Sequence, residues 1–240
     1  MPELPDVEAY CAAIRSRCRG DVLTAVRVYS PFLVRTVEPP VSSMEGRRLA
    51  DVRRLGKRIV FEFDRGLFVV VHLMVSGRLS WHEPQRVKPA TGRVALADFE
   101  FAKGTLRLVE QATRKRASLH VVATERDLIA HDPGGLEVLE CSEHEFLVAL
   151  SRENRTLKRA LTSPRLFSGI GNAFSDEILF AARLSPMRLT RSLDDAEGLR
   201  LLAASRSLLV EWRDRLIERA LKRFPSPAEV TAFRPEFAVH

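Results

Sequence analysis

Asp132-Pro133-Gly134-Gly135 divides the chain into two kinds of sequence. Proline and paired glycines punctuate a chain as loop. Before this stretch lie short segments that alternate or are rich in β-branched and aromatic residues: Leu23-Tyr29, Arg58-Phe63, Leu67-Leu73, Arg78-Trp81, Val94-Phe101, Thr105-Val109 and Ser118-Val122. Asp64-Arg65-Gly66 and Lys103-Gly104 occupy hairpin positions between them. Six or seven strands at this spacing point to an antiparallel sandwich or a flattened barrel. Ahead of them, Val7, Tyr10, Cys11, Ile14 and Cys18 recur at helical spacing, with Arg15, Arg17 and Arg19 expected outward. After Gly135 the helical period takes over, in Glu143-Ser151, Leu157-Leu161, Asn172-Leu184 and Asp194-Leu221. The expected fold is α+β and multidomain: an antiparallel β-sandwich with a leading helix over residues 1–126, an all-α domain over 127–223 and a tail over 224–240.

A chain of 240 residues with 45% hydrophobic content can fill such cores, which excludes disorder as the main state. Its net charge is +7, and 32 of the 38 basic residues are arginine. Arginine presents a planar fork to phosphate oxygens, and a GC-rich genome also favours it. The distribution says more than the total. Residues 1–120 carry a net +8, residues 121–150 a net −6 and residues 151–191 a net +5, so two basic blocks flank an acidic connector. An anionic partner is expected. The three cysteines, Cys11, Cys18 and Cys141, form no Cys-x-x-Cys pair, which argues against a disulfide framework and a self-contained zinc site. The N-terminus lacks the basic and apolar regions of a signal peptide, and no apolar run approaches the roughly 18 to 20 residues of a membrane span. A cytoplasmic protein is expected.

Chemistry is densest at the N-terminus. Removal of Met1 would make Pro2 a terminal secondary amine, with a pKa near the α-amino range of about 7.7 to 8.0. Such an amine attacking a sugar C1′ gives an iminium directly, an electron sink for later elimination. Glu3 stands beside it as a candidate proton shuttle. Met-Pro-Glu is also an ordinary way to start a chain. Lys57, between two strand-like segments, is a candidate phosphate ligand or a solvated charge, and Arg114-Lys115-Arg116 is a basic loop able to cross a phosphate backbone or simply to face water. Gly169-Ile170-Gly171-Asn172 opens a helix whose free N–H groups form an anion site, with Lys158, Arg159 and Arg165 just upstream. His72 follows an apolar strand and reads more readily as a core histidine than as a ligand.

Taken together, the segments resemble the formamidopyrimidine-DNA glycosylase and endonuclease VIII family. The resemblance rests on Met1-Pro2-Glu3-Leu4-Pro5-Asp6-Val7-Glu8, Gly56-Lys57-Arg58, His72-Leu73-x-x-Ser76-Gly77-Arg78-Leu79, and the run from Leu157-Lys158 through Gly169-Ile170-Gly171-Asn172-x-x-x-Asp176-Glu177-Ile178-Leu179 to Leu184-Ser185-Pro186. That run is similar to the family's helix-two-turn-helix. The resemblance implies a monomeric base-excision enzyme that flips a damaged base from double-stranded DNA, cleaves its glycosidic bond and nicks the strand by elimination. By position, it implies Pro2 as nucleophile, Glu3 as general acid/base, and Lys57 as a phosphate contact with a part in proton transfer. Lys158, Gly169, Gly171 and Asn172 would grip phosphates, and Arg114 would face the orphaned base.

The match departs from the family at four places. Asp6 stands where glutamate is usual. Val75 and Arg116 hold the slots of an apolar methionine and phenylalanine that fill the vacated base stack. The stretch after Leu221 lacks the glycine- and threonine-rich loop that covers a flipped 8-oxoguanine. Phe233-Arg234-Pro235-Glu236-Phe237-Ala238-Val239-His240 is similar to the lead-in to a four-cysteine zinc finger. Members with that finger bind one structural zinc, so this chain is expected to be truncated before the finger or fingerless, with no cofactor of its own. An active glycosylase and abasic-site lyase for oxidised bases of the formamidopyrimidine or 8-oxoguanine type is the first expectation. A catalytically weak lesion or abasic-site binder is the second, and an RNA-binding helix-two-turn-helix protein leaves the N-terminal motif unexplained.

Overall fold

The computed structural model describes residues 1–84, 94–231 and 233–240. The first part is a sandwich of two antiparallel four-stranded sheets. One has the order β1 (Leu23–Val28), β6 (Ala95–Phe101), β7 (Gly104–Glu110), β5 (Gly77–His82); the other has the order β2 (Leu49–Leu55), β3 (Arg58–Phe63), β4 (Leu67–His72), β8 (Ser118–Val122). Inward residues of the two sheets interdigitate, as in the stack of Phe61 on Phe99 with centroids 5.9 Å apart. The hairpins fall where the turn residues stand: Arg65 and Gly66 take positive φ between β3 and β4, and Gly104 does so between β6 and β7.

Two elements escape the sequence periodicity. β2 reads Leu-Ala-Asp-Val-Arg-Arg-Leu, in which charge obscures alternation. Its arginines are stable in a sheet because Arg53 pairs with Glu62 and Glu125, while Arg54 reaches Glu8 and Glu137. The short helix α2 (Glu125–Ile129) is capped by Thr124, whose hydroxyl accepts the Asp127 N–H at 3.1 Å. It is too short to show a period, and Leu128 holds it on the outer face of the second sheet, against Val60, Val70 and Val122.

Helix α1 (Leu4–Cys18) serves both halves of the molecule. Val7, Tyr10, Cys11, Ile14 and Cys18 close the sandwich core, while Ala9 and Ala13 bring it against Ala220 of the long helix α6 (Asp195–Lys222). Because it is covered on two sides, Arg15 and Arg17 do not simply face water. Arg15 pairs with Asp51 at 2.7 Å and Arg17 donates to the Ala13 and Ala220 carbonyls. The helical part comprises α3 (Glu143–Ser151), α4 (Leu157–Leu161), α5 (Asn172–Ala181) and α6, around Phe146, Phe167, Phe174 and Trp212. Leu4, the first residue of α1, is buried in this second core.

Candidate functional site

The start of α1 meets the start of α5. Glu3 is the N-cap of α1: its N–H donates to Asp6 Oδ2 at 2.9 Å, and Pro5 suits the first turn because no N–H is needed there. Leu4 N–H donates to the Gly169 carbonyl at 2.9 Å. The Glu3 carboxylate then accepts from the N–H groups of Gly171 at 2.6 Å, Ala173 at 2.9 Å and Phe174 at 3.3 Å. These are the unsatisfied donors of a helix N-terminus, where a negative charge is favoured. The two glycines are required by the approach. A Cβ on Gly171 would lie 2.4 Å from Glu3 Cδ, and one on Gly169, whose φ is +76°, would lie 2.8 Å from Leu4 Cβ.

Glycines that the sequence assigns to a phosphate grip therefore admit a carboxylate of the same chain. Glu3 is only 4% exposed. Burial pushes its carboxyl above the ordinary glutamate range, against the opposing pull of Lys57 and of the Ala173 and Gly171 N–H groups. Lys57 sits with Gly56 in the two-residue turn between β2 and β3, where Gly56 takes a φ of +60°. Burial draws the lysine's pKa down and the Glu3 charge opposes it. Pro2, next to Glu3 in the chain, is buried. The amino group of Met1 has its pKa lowered, first by burial and then by the positive charge of Arg78, with Lys57 adding to it.

The basic loop and the β4–β5 connection are joined by a residue that sequence reading passes over. Glu110, 1% exposed at the end of β7, accepts from Ser76 Oγ at 3.0 Å and from the N–H groups of Arg116 at 2.9 Å and Ala117 at 3.1 Å. Lys115 donates to its carbonyl. This carboxylate thus holds the bases of two loops together while Val75, Arg114 and Arg116 remain exposed at their tips. The tight β4–β5 connection closes with Gly77 N–H on the Leu73 carbonyl at 2.8 Å, and a Cβ on Gly77 would lie 2.3 Å from that oxygen. Only composition hints at Glu110: an acid at the end of an otherwise apolar and basic strand.

Asn172 is exposed at the first turn of α5. Lys158 reaches the Asn172 carbonyl at 2.7 Å and pairs with Asp176 at 2.6 Å, so this lysine is already engaged. The tail packs on the same helix. Glu177 accepts the N–H groups of Ala238 and Val239 at 2.8 Å and of His240 at 3.0 Å. Arg234 pairs with Asp6 and lies over the rings of Phe174, Trp212 and Phe237, at 5.0 to 5.7 Å from their centroids. Between α1, the end of α6 and the tail is a cavity of about 600 Å³, walled in part by Asp6, Trp212, Arg219, Arg223, Thr231 and Arg234. Among the described residues no group of three or more His, Cys, Asp or Glu side chains is placed to hold a metal ion, and all three cysteines are buried as free thiols. These residues do not build a zinc site.

Known proteins share this arrangement. The formamidopyrimidine-DNA glycosylase N-terminal domain matches residues 1–119, and the formamidopyrimidine-DNA glycosylase H2TH domain matches residues 132–212. The formamidopyrimidine-DNA glycosylase of Salinispora arenicola is 34% identical over 221 residues, covering 88% of this chain and 75% of that relative. The crystal structure of the MutM (Fpg) protein from Thermus thermophilus superposes with a TM-score of 0.76 at 31% identity, covering 89% of this chain and 76% of that one. Lactococcus lactis formamidopyrimidine-DNA glycosylase, non-covalently bound to DNA containing an abasic site, shares the fold with a TM-score of 0.81 at 21% identity, over 92% of this chain and 85% of that one. Two matched domains in the same order, on a sandwich and a helical bundle locked together through Glu3, establish that the chain belongs to the formamidopyrimidine-DNA glycosylase family of base-excision repair enzymes.

Proposed function

We propose that this protein is a bifunctional glycosylase and abasic-site lyase, acting as a monomer on oxidised bases in duplex DNA, and that Pro2 becomes its nucleophile once Met1 is removed. The observation that carries the reading is the buried Glu3 carboxyl, adjoining the buried Pro2 in the chain and within the influence of the half-buried Lys57 charge. An environment that lowers the pKa of the chain's amino group at Met1 would act likewise on a Pro2 amine, raising the unprotonated fraction at neutral pH. The Pro2 nitrogen then bonds to C1′ while the C1′–base bond breaks, and the base leaves with a proton. Glu3, whose pKa burial raises, supplies the proton to the ring oxygen as the sugar opens and takes it back later. The resulting iminium acidifies C2′, and loss of that proton expels the 3′ phosphate. Water finally releases the amine.

Two basic blocks joined by an acidic connector suit DNA held between the sandwich and the helical part. On this reading Asn172, exposed on α5, Lys57 and Lys158, the last released from Asp176, would contact phosphates around the lesion, and the exposed Arg114 would face the orphaned base. The cavity of about 600 Å³ beside Asp6 falls within the size range of ligand pockets and would receive the flipped base. One observation favours a second reading, a lesion binder with weak catalysis: the exposed tips carry Val75 and the cationic Arg116, which supply little apolar surface to fill a vacated stack. Borohydride trapping on an abasic duplex separates the two. The enzyme reading expects a covalent adduct that is lost in Pro2→Gly and whenever Met1 is retained; an undiminished adduct in both would refute Pro2 as nucleophile, and no strand cleavage by the processed protein would leave the binder.

A further inference from the structure

The outer face of the second sheet carries an arginine and a group of histidines that neither the fold nor the proposed chemistry uses. Strand register places Arg58, His72 and Ser118 side by side in one cross-strand row, and Val60, Val70 and His120 in the next. Farther along, α2 roofs this face over Val60, Val70 and Val122. Beyond α2 the chain turns back, and the His131 ring lies against His120 with centroids 4.5 Å apart and planes tilted by 55°. Lys57 adjoins the row through the β2–β3 turn, so the strip runs from the candidate active site to the connector.

On this face no carboxylate forms an ion pair with Arg58 among the described residues. On the neighbouring strand, Arg53 and Arg54 are each matched by two carboxylates. The Arg58 side chain is half-buried and makes no hydrogen bond or ion pair among the described residues; the acidic charge that acts on it is Asp132. His72 faces Arg58, Lys57 and His120, while His120 faces His131, Arg58 and Arg35. His131 faces Arg58 and a single carboxylate, Asp127, besides His120. Burial, followed by these positive neighbours, lowers both His72 and His120 to about 4, so both are neutral at pH 7. His72 Nδ1 accepts the Met74 N–H at 3.2 Å, which leaves its proton on Nε2.

A desolvated guanidinium ringed by neutral imidazoles lacks only an anion. We propose that Arg58, His120 and His131 form a phosphodiester-binding strip that extends the DNA contact of this protein past Lys57, along the outer face of the second sheet. The inference rests on the proposed DNA-directed function and adds to it a contact site and a linked proton. A bound phosphate supplies the missing counter-charge, raises the imidazole pKa values and couples binding to proton uptake. Continuity with Lys57 favours the DNA backbone over a free anion.

The test uses the full chain and a duplex bearing a tetrahydrofuran abasic analogue, with affinity measured by fluorescence anisotropy between about 50 and 200 mM salt. Arg58→Gln is expected to weaken binding about tenfold and to reduce the log–log salt slope by about 0.9, the value for one phosphate on B-DNA. Arg58→Lys should retain the slope, which separates charge from folding. Wild-type affinity should rise between pH 7.5 and 5.5 by more than that of the His120→Gln/His131→Gln double variant. An unchanged slope in Arg58→Gln, or the same pH response in the double variant, would overturn the strip while leaving the glycosylase reading intact. Failure of the wild type to bind the abasic duplex would overturn both.

Discussion

The Glu3 carboxylate accepts the Gly171 N–H at 2.6 Å, across 168 residues of sequence. This contact makes the candidate catalytic acid also a bolt between the sandwich and the helical part. Glu3→Gln keeps the shape and removes the ionisable group. Single-turnover excision is expected to fall about 10²- to 10⁴-fold, the range for a positioned acid or base, with a smaller change in melting temperature. Gly171→Ala, whose new methyl would collide with Glu3, should lose both activity and stability. An excision rate in Glu3→Gln within twofold of wild type would exclude the acid/base role.

The pH dependence follows from two opposite shifts. A carboxyl raised above its ordinary value stays protonated to higher pH, so catalysis needing that proton declines as pH rises through it. An amine lowered below its ordinary value becomes nucleophilic at lower pH, so activity climbs as pH rises through it. The expected rate profile is a bell. Its rise needs the amine deprotonated and its fall reflects loss of the Glu3 proton, so Glu3→Gln should remove the alkaline fall.

Glu110 gathers Ser76, Arg116 and Ala117 onto one buried carboxylate. Glu110→Ala strands two loop N–H groups and is expected to cost about 1 to 3 kcal/mol by chemical denaturation. Faster hydrogen exchange should be confined to the two loops ending in Val75 and Arg116. If lesion-DNA affinity survives this loosening undiminished, those loop tips do not engage DNA.

Arg54 is nearly buried and joins Glu8 of α1 at 2.8 Å to Glu137 of the connector at 2.7 Å. Burial opposes its charge, and the hydrogen bonds and charges of Glu137 and Glu8 overcome that opposition. Arg54→Ala leaves two carboxylates facing one another without a cation. A loss of about 1 to 3 kcal/mol is expected, measurable by denaturant titration, because two partly solvated carboxylates lose their charge-assisted hydrogen bonds. Arg54→Met in a Glu8→Gln/Glu137→Gln background should recover much of it.

Local pattern was enough for the architecture. Alternation before Asp132 and helical spacing after Gly135 are properties of neighbouring residues, and the sandwich, α1 and the four later helices follow from them. The motifs at Pro2-Glu3, Gly56-Lys57 and Gly169-Ile170-Gly171-Asn172 likewise pointed to the family from sequence alone. What the tertiary structure decided concerns partners distant in the chain. β2 was obscured because the carboxylates that make Arg53 and Arg54 tolerable come from β3, α1, α2 and the connector. The glycines before α5 read as a phosphate grip; in the fold Gly169 makes room for Leu4 and Gly171 for Glu3, and the N–H groups of Gly171, Ala173 and Phe174 go to Glu3, because the helix N-terminus stabilises whichever anion the fold brings to it. Glu110, His120 and His131 carry no motif, and Gly56-Lys57-Arg58 gives no sign of the strip that Arg58 joins. Their meaning lies in burial and in the presence or lack of counter-charge, and those exist only once the sheets have paired.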